Sequence, residues 1–116
     1  MNQKTGVISL VLLGVLAAGC THTIYSWGHY EDLIYVSYAK PGKVPPEAQI
    51  ESLQADYEKA RASNKPVPPG FHAHLGNLYF QTGKADKARQ EFEAEKAQFP
   101  ESTVFMDRLI ANLNKQ

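Results

Sequence analysis

The sequence predicts an all-α fold, and three observations predict it. Between Phe71 and Pro100 two short amphipathic stretches follow one another across a break at Gly83. Upstream, Trp27, Tyr30, Ile34 and Tyr38 recur at intervals of three, four and four, and Ile50, Leu53, Tyr57 and Ala60 at three, four and three. Such spacing lines apolar groups along one face of a helix. With 116 residues, 43% of them hydrophobic and 21% charged, the chain has room for one small domain around one core. The expected architecture is about two helical hairpins followed by a C-terminal capping helix.

Residues 1–19 read as a signal peptide. Lys4 precedes twelve mostly apolar residues, Val7 to Ala18, and small residues lead up to Cys20. A spanning helix needs roughly 20 apolar residues, so this run is too short to remain as one. Leu16-Ala17-Ala18-Gly19-Cys20 is similar to the bacterial lipobox, in which the cysteine is acylated and becomes the first residue of the mature chain. Each acyl methylene that enters the bilayer contributes about 0.8 kcal/mol, and two chains suffice for stable anchoring. Thr21 stands where inner-membrane retention in enterobacteria usually has aspartate, so the resemblance implies the outer membrane, with the protein on its periplasmic face. Cleavage removes Lys4 and leaves eleven basic against twelve acidic residues, so the lipid alone must hold the body. Residues 20–26 are then a short lipid-anchored tether, and 27–116 a single helical repeat-like domain.

The stripe from Trp27 to Tyr38, widened by Leu33, predicts a first helix with its aromatic rings in the core. An alternative use of Trp27 and the tyrosines at 25, 30, 35 and 38 is a sugar-stacking surface, which requires the rings to be exposed. Lys40-Pro41-Gly42-Lys43 ends this helix. Pro46, favoured at a first helical position, and Glu47, at the positive helix end, open a second that runs through about Arg61. Residues 63–70, with three prolines, connect it to the next hairpin within the same domain.

In that hairpin Leu75, Gly76, Tyr79, Ala88, Phe92 and Pro100 stand where the tetratricopeptide repeat places its Leu, Gly, Tyr, Ala, Phe and Pro, and the segment resembles one such repeat. Gly76 lets the second helix approach, and Ala88 is the small residue facing it. Helices are expected over about 69–82, ended by Gly83, and over about 85–98, whose solvent face pairs Lys87 with Glu91 and Arg89 with Glu93. Leu53, Tyr57 and Ala60 copy the second-helix pattern of the repeat, so residues 27–66 read as a divergent one. Ser102 is placed to cap a last helix through about Asn114. Shifted by one repeat period of 34 residues, Phe71, Leu75 and Tyr79 map onto Phe105, Leu109 and Leu113, so this helix resembles the opening of a further repeat. The resemblance implies a concave groove on the first helix, at Ala73, Asn77, Phe80 and Gln81, where Asn77 would hold an extended peptide by its backbone.

Chemistry for catalysis is missing. His72 and His74 lie two apart and point to different helix faces, whereas a helical zinc pair needs a spacing of four. His22 and His29 have no convincing company for metal or acid-base work. The single cysteine, Cys20, can form neither a disulfide within the chain nor a cysteine-based zinc site. Glu31 and Asp32 are surface residues, and there is no phosphate loop or nucleophile elbow. Twelve basic residues against twelve acidic leave no basic excess for nucleic acid. No enzyme, no cofactor, no metal and no nucleic-acid partner are expected.

Beyond the lipobox, the Tyr25-Ser26-Trp27-Gly28-His29-Tyr30-Glu31 run, Leu33-Ile34-Tyr35, Lys40-Pro41-Gly42 and Leu75-Gly76 make nearly the whole mature chain similar to the bacterial lipoprotein family of domain of unknown function 4810. Its members are often encoded beside a lipoprotein similar to the curli secretion pore and a second small lipoprotein. The resemblance implies a shared envelope assembly: an outer-membrane-anchored, non-catalytic protein-protein adaptor. The competing expectation is a peptidoglycan- or glycan-binding lipoprotein that uses the Trp27 aromatic stretch.

Overall fold

The computed structural model describes residues 23–115, so the signal segment, Cys20 and the start of the tether lie outside the described residues. The fold is all-α, as the periodicities predict. Its helices are α1 (Tyr30–Ala39), α2 (Pro46–Ala62), α3 (Phe71–Gln81), α4 (Ala85–Gln98) and α5 (Thr103–Leu113), with a 3₁₀ turn at Pro100–Ser102 before the last. Successive helices run antiparallel. On α1 and α2, His29 meets Asp56 at one end and Ser37 meets Gln49 at the other. On α3 and α4, Gly70 meets Glu95, His72 meets Glu91, and the Tyr79 ring meets Lys87. On α4 and α5, Arg89 bonds Asn114 and Lys96 bonds Asp107.

Pro46 occupies the first turn of α2 with Glu47 beside it. At the other end of the hairpin, Gly83 adopts φ 76°, which costs glycine little. The Lys84 N–H then reaches the Tyr79 carbonyl at 2.8 Å and the Gly83 N–H reaches Phe80 at 3.1 Å, the two bonds of a Schellman motif. Ser102 does not cap α5. The 3₁₀ turn holds it at φ −79°, ψ −7°, not the extended conformation a cap uses, and its hydroxyl donates back to the Phe99 carbonyl at 2.7 Å.

The core is built from Leu53, Phe71, Leu75, Leu78, Tyr79, Ala88 and Phe92, extended by Leu33 and Ile50 on one side and by Met106 and Leu113 on the other. Gly76 faces Phe92 and Ala88, the close approach expected of it. The aromatic stripe of the first helix, however, is core only at Leu33 and, in part, Tyr30. Leu33 is the buried residue of α1, while Tyr35 is 63% and Tyr38 82% exposed; Trp27 precedes the helix and is 38% exposed. The inner face is set by Leu33, by Tyr30 against Phe71, and by the Ser37 hydroxyl, which donates to Gln49 Oε1 at 3.1 Å.

Phe105 also departs from the repeat mapping: it is 60% exposed, and Met106 takes the inward position. Tyr30 and Tyr57 pack over Phe71, but among the described residues no ring packs over Phe105. The intrahelical pairs expected on α4 do not form: three of their members meet other elements, and Glu93 takes a different neighbour on α4 itself. Glu91 pairs with His72 at 2.6 Å, Lys87 lies over the Tyr79 ring, Arg89 reaches Asn114, and Glu93 pairs with Lys96 at 3.2 Å.

The Trp-Gly-His-Tyr run has a geometric reason. Gly28 sits at φ 49°, and a Cβ there would fall onto the Asp56 carboxylate. Asp56, buried on α2, accepts the His29 backbone N–H at 2.7 Å and faces the His29 ring Nδ1 at 3.0 Å. Ser26 donates its N–H to Pro66 at 2.8 Å and the Tyr25 ring meets Phe99 edge-on, so these two tether residues are already held by the body.

Candidate functional site

The side of the fold that carries Asn77 holds two concavities. The larger, about 380 Å³, lies between the α1–α2 turn and α3; Ser37, Val44, Gln49, His74, Asn77 and Gln81 are among its walls. The smaller, about 80 Å³, is lined by Asn77, Phe80 and Phe92 with Leu109, Asn112 and Leu113 of α5. Asn77 lines both, so the two meet at its exposed side chain and form a groove from α1 across α3 to α5.

Of the four residues expected to line a groove on the first helix of the hairpin, Asn77, Phe80 and Gln81 do so. Ala73 lines neither concavity; it packs against the core, and its backbone N–H points to Glu95 Oε2 at 3.3 Å. The spacing of the first three follows from the helix: Asn77 and Gln81 are one turn apart on one face, and Phe80 lies on its flank.

A hydrogen-bonded set at the base of the larger concavity was not anticipated from the sequence. Gln49, buried, accepts from the Ser37 hydroxyl and donates Nε2 to the Val44 carbonyl at 3.0 Å. Its Oε1 also faces His74 Nε2 at 3.2 Å. Burial lowers the His74 pKa below the ordinary histidine value, so the ring is neutral at pH 7 and its Nε2–H donates to the Gln49 carbonyl. A signal existed: Gln49 and Asp56 interrupt the apolar stripe of α2 at core positions, where a polar side chain needs partners.

The groove carries no fixed charge. Its walls are carboxamides, hydroxyls, a neutral imidazole and apolar side chains. Side-chain amides can donate to and accept from an extended backbone, and the absence of charge disfavours anionic or cationic ligands. The buried carboxylates face elsewhere and are occupied: Asp56 holds His29, and Glu95 holds the backbone at the start of α3. Among the described residues no cluster of three metal-ligating side chains occurs, and no helix is long and apolar enough to cross a membrane.

A second surface covers the outer face of α1 and meets the groove at Tyr38, which lines both. Trp27, Tyr30, Ile34, Tyr35, Tyr38 and Ala39 line a shallow depression of about 730 Å³, with Glu31 its single charged member. Trp27 and Tyr30 stack at 6.4 Å, and Tyr25 meets the Trp27 indole edge-on. The Tyr30 phenol is raised above the usual tyrosine value by burial first, then by Glu95 and Tyr38, so it stays a hydrogen-bond donor at neutral pH.

The sequence model of one family, described as Domain of unknown function (DUF4810), matches residues 24–109, a span that takes in all of the elements above except the end of α5. No curated protein and no solved structure matches the chain.

Proposed function

The chain belongs to the family of domain of unknown function 4810, and from that premise we propose that it is a lipid-anchored, non-catalytic adaptor of the bacterial outer membrane. On this reading the uncharged groove centred on Asn77 takes an extended segment of another envelope protein, with a lipoprotein similar to the curli secretion pore as the first candidate. The observation that carries it is the meeting of two amide-lined concavities at one exposed asparagine. The tetratricopeptide reading agrees with it: α1, α3 and α5 would be the first helices of successive repeats, which in such arrays line the concave side. At least three repeats are normally needed for a stable stack, and this chain has two hairpins and a cap, so a partner would complete it.

The Asn77→Ala variant tests the groove. The side chain is exposed and makes no hydrogen bond among the described residues, so stability should change by less than about 0.5 kcal/mol. A photo-crosslinker at position 77 should form an adduct with a second envelope protein in intact cells, and the alanine variant should capture that protein less well. A solitary monomer in both crosslinking and native mass measurement sinks the adaptor reading.

For the anchor, Cys20→Ala should abolish incorporation of labelled palmitate and remove the protein from the outer-membrane fraction. Label that survives the substitution would mean that Cys20 is not the acylated residue.

The glycan-binding alternative draws support from the exposure of Trp27, Tyr35 and Tyr38. Against it, the α1 depression offers few groups to read sugar hydroxyls, since Glu31 and tyrosine hydroxyls are its polar members.

A further inference from the structure

We propose that the exposed aromatic flank of α1 lies in the headgroup layer of the membrane and fixes the domain's orientation on it. The inference rests on the reading that the N-terminal segment places the chain on a bilayer. Three observations carry it.

The first is chemical. Trp27, Ile34, Tyr35 and Tyr38 form a continuous apolar strip whose rings end in polar N–H and O–H groups. Such rings collect at membrane–water interfaces, where the apolar body meets acyl chains and the polar tip stays wet. The second is position. Described structure begins at Thr23, and Cys20 lies three residues upstream, so a lipid on that cysteine sits within about 11 Å of Thr23. Ile24, which follows Thr23 on the way to α1, is itself exposed. Any bilayer that holds this end of the chain is within reach of α1.

The third is attachment. Ser26 is bonded to Pro66, His29 to Asp56, and Tyr30 packs on Phe71, so the strip is joined rigidly to the body. Seating it would fix the orientation of the whole domain, with the α1 end of the groove, where Tyr38 lines both surfaces, beside the bilayer. Glu31 and Asp32 on α1 give no attraction to anionic lipid, so the contact is apolar and resists salt.

Trp27 is the only tryptophan and reports directly. The full acylated protein, purified from envelopes, is placed in zwitterionic phosphatidylcholine vesicles with or without brominated acyl chains, after flotation establishes that it is bound. Brominated lipid should quench Trp27 emission at least twofold, and 0.5 M salt should not reverse the effect. Acrylamide should quench the vesicle-bound protein several-fold less than a Tyr35→Ser/Tyr38→Ser variant, which loses exposed rings only. Flotation with no bromolipid quenching and full acrylamide access overturns this inference and leaves the anchor standing. Failure to float overturns both. Shielding of Trp27 only when peptidoglycan fragments or a second protein is added overturns the membrane assignment in favour of those ligands.

Discussion

Gly76→Leu should lower the melting temperature even though leucine is the better helix former by up to about 1 kcal/mol. A Cβ at position 76 would stand 2.6 Å from Phe92 Cε1 and 3.2 Å from the Ala88 carbonyl oxygen. Phe92 is buried and Ala88 is backbone of the facing helix, so neither yields without opening the α3–α4 contact. Overpacking of this kind costs about 1–3 kcal/mol, and for a domain of this size each kcal/mol corresponds to roughly 4–8 °C. The steric term wins, and Gly76→Ala should fall in the same direction by less. Circular-dichroism melts decide it; a Gly76→Leu protein that melts at or above the parent would mean that α3 and α4 do not meet at this point.

Glu95→Ala should be comparably damaging, for an electrostatic reason. Helix α3 has no capping side chain of its own, because Gly70 occupies that position at φ 89°. A tyrosine stands in the way of anything larger: a Cβ on Gly70 would approach the Tyr30 hydroxyl at 2.5 Å. The cap comes instead from α4, where buried Glu95 accepts the Gly70 N–H at 2.7 Å and the Ala73 N–H at 3.3 Å. A carboxylate at the positive end of a helix, bonded to two orphan donors, combines a cap with the helix dipole. Its removal should cost about 2–4 kcal/mol, since hydrogen bonds to charged groups contribute about 1.5–3 kcal/mol each and the donors are left unpaired. Glu95→Gln keeps one acceptor and should lose about half as much, by the same magnitudes. Urea midpoints of the three proteins test the order, and an alanine variant as stable as the parent would show that water caps α3 equally well.

The helices that punctuation defines were legible in advance. Pro46, Gly83 and Pro100 mark boundaries by their own backbone chemistry, and α4 runs over the expected Ala85–Gln98. Half of the groove was legible too, because Asn77 and Gln81 follow from helix spacing once the inner face of α3 is fixed by Leu75, Leu78 and Tyr79. The inner face of α1 was not. Tyr30, Leu33, Ile34, Tyr35, Val36 and Tyr38 are apolar almost all round the helix, so periodicity cannot choose a side. The choice is made by Ser37 meeting Gln49 and by His29 meeting Asp56, pairs separated by 12 and 27 residues. The Glu95 cap was hidden for the same reason, 25 residues from Gly70. A local pattern cannot encode a hydrogen bond whose partner lies on the next helix.

The fastening of residues 25–30 also governs how the molecule bears mechanical load. On the proposed reading, a chain held by its N-terminus and gripping a partner elsewhere would be stretched between the two points. Tension entering at Thr23 would meet the Tyr25–Phe99 contact and then the Ser26–Pro66 bond, both of them before α1. The proline-rich connector that carries Pro66 is braced in turn by Gln98 of α4, which donates to the Val67 carbonyl at 2.9 Å. A pull of that kind would thus reach the connector and α4 through contacts that precede α1, so the first helix need not act as a lever that peels the fold from its end.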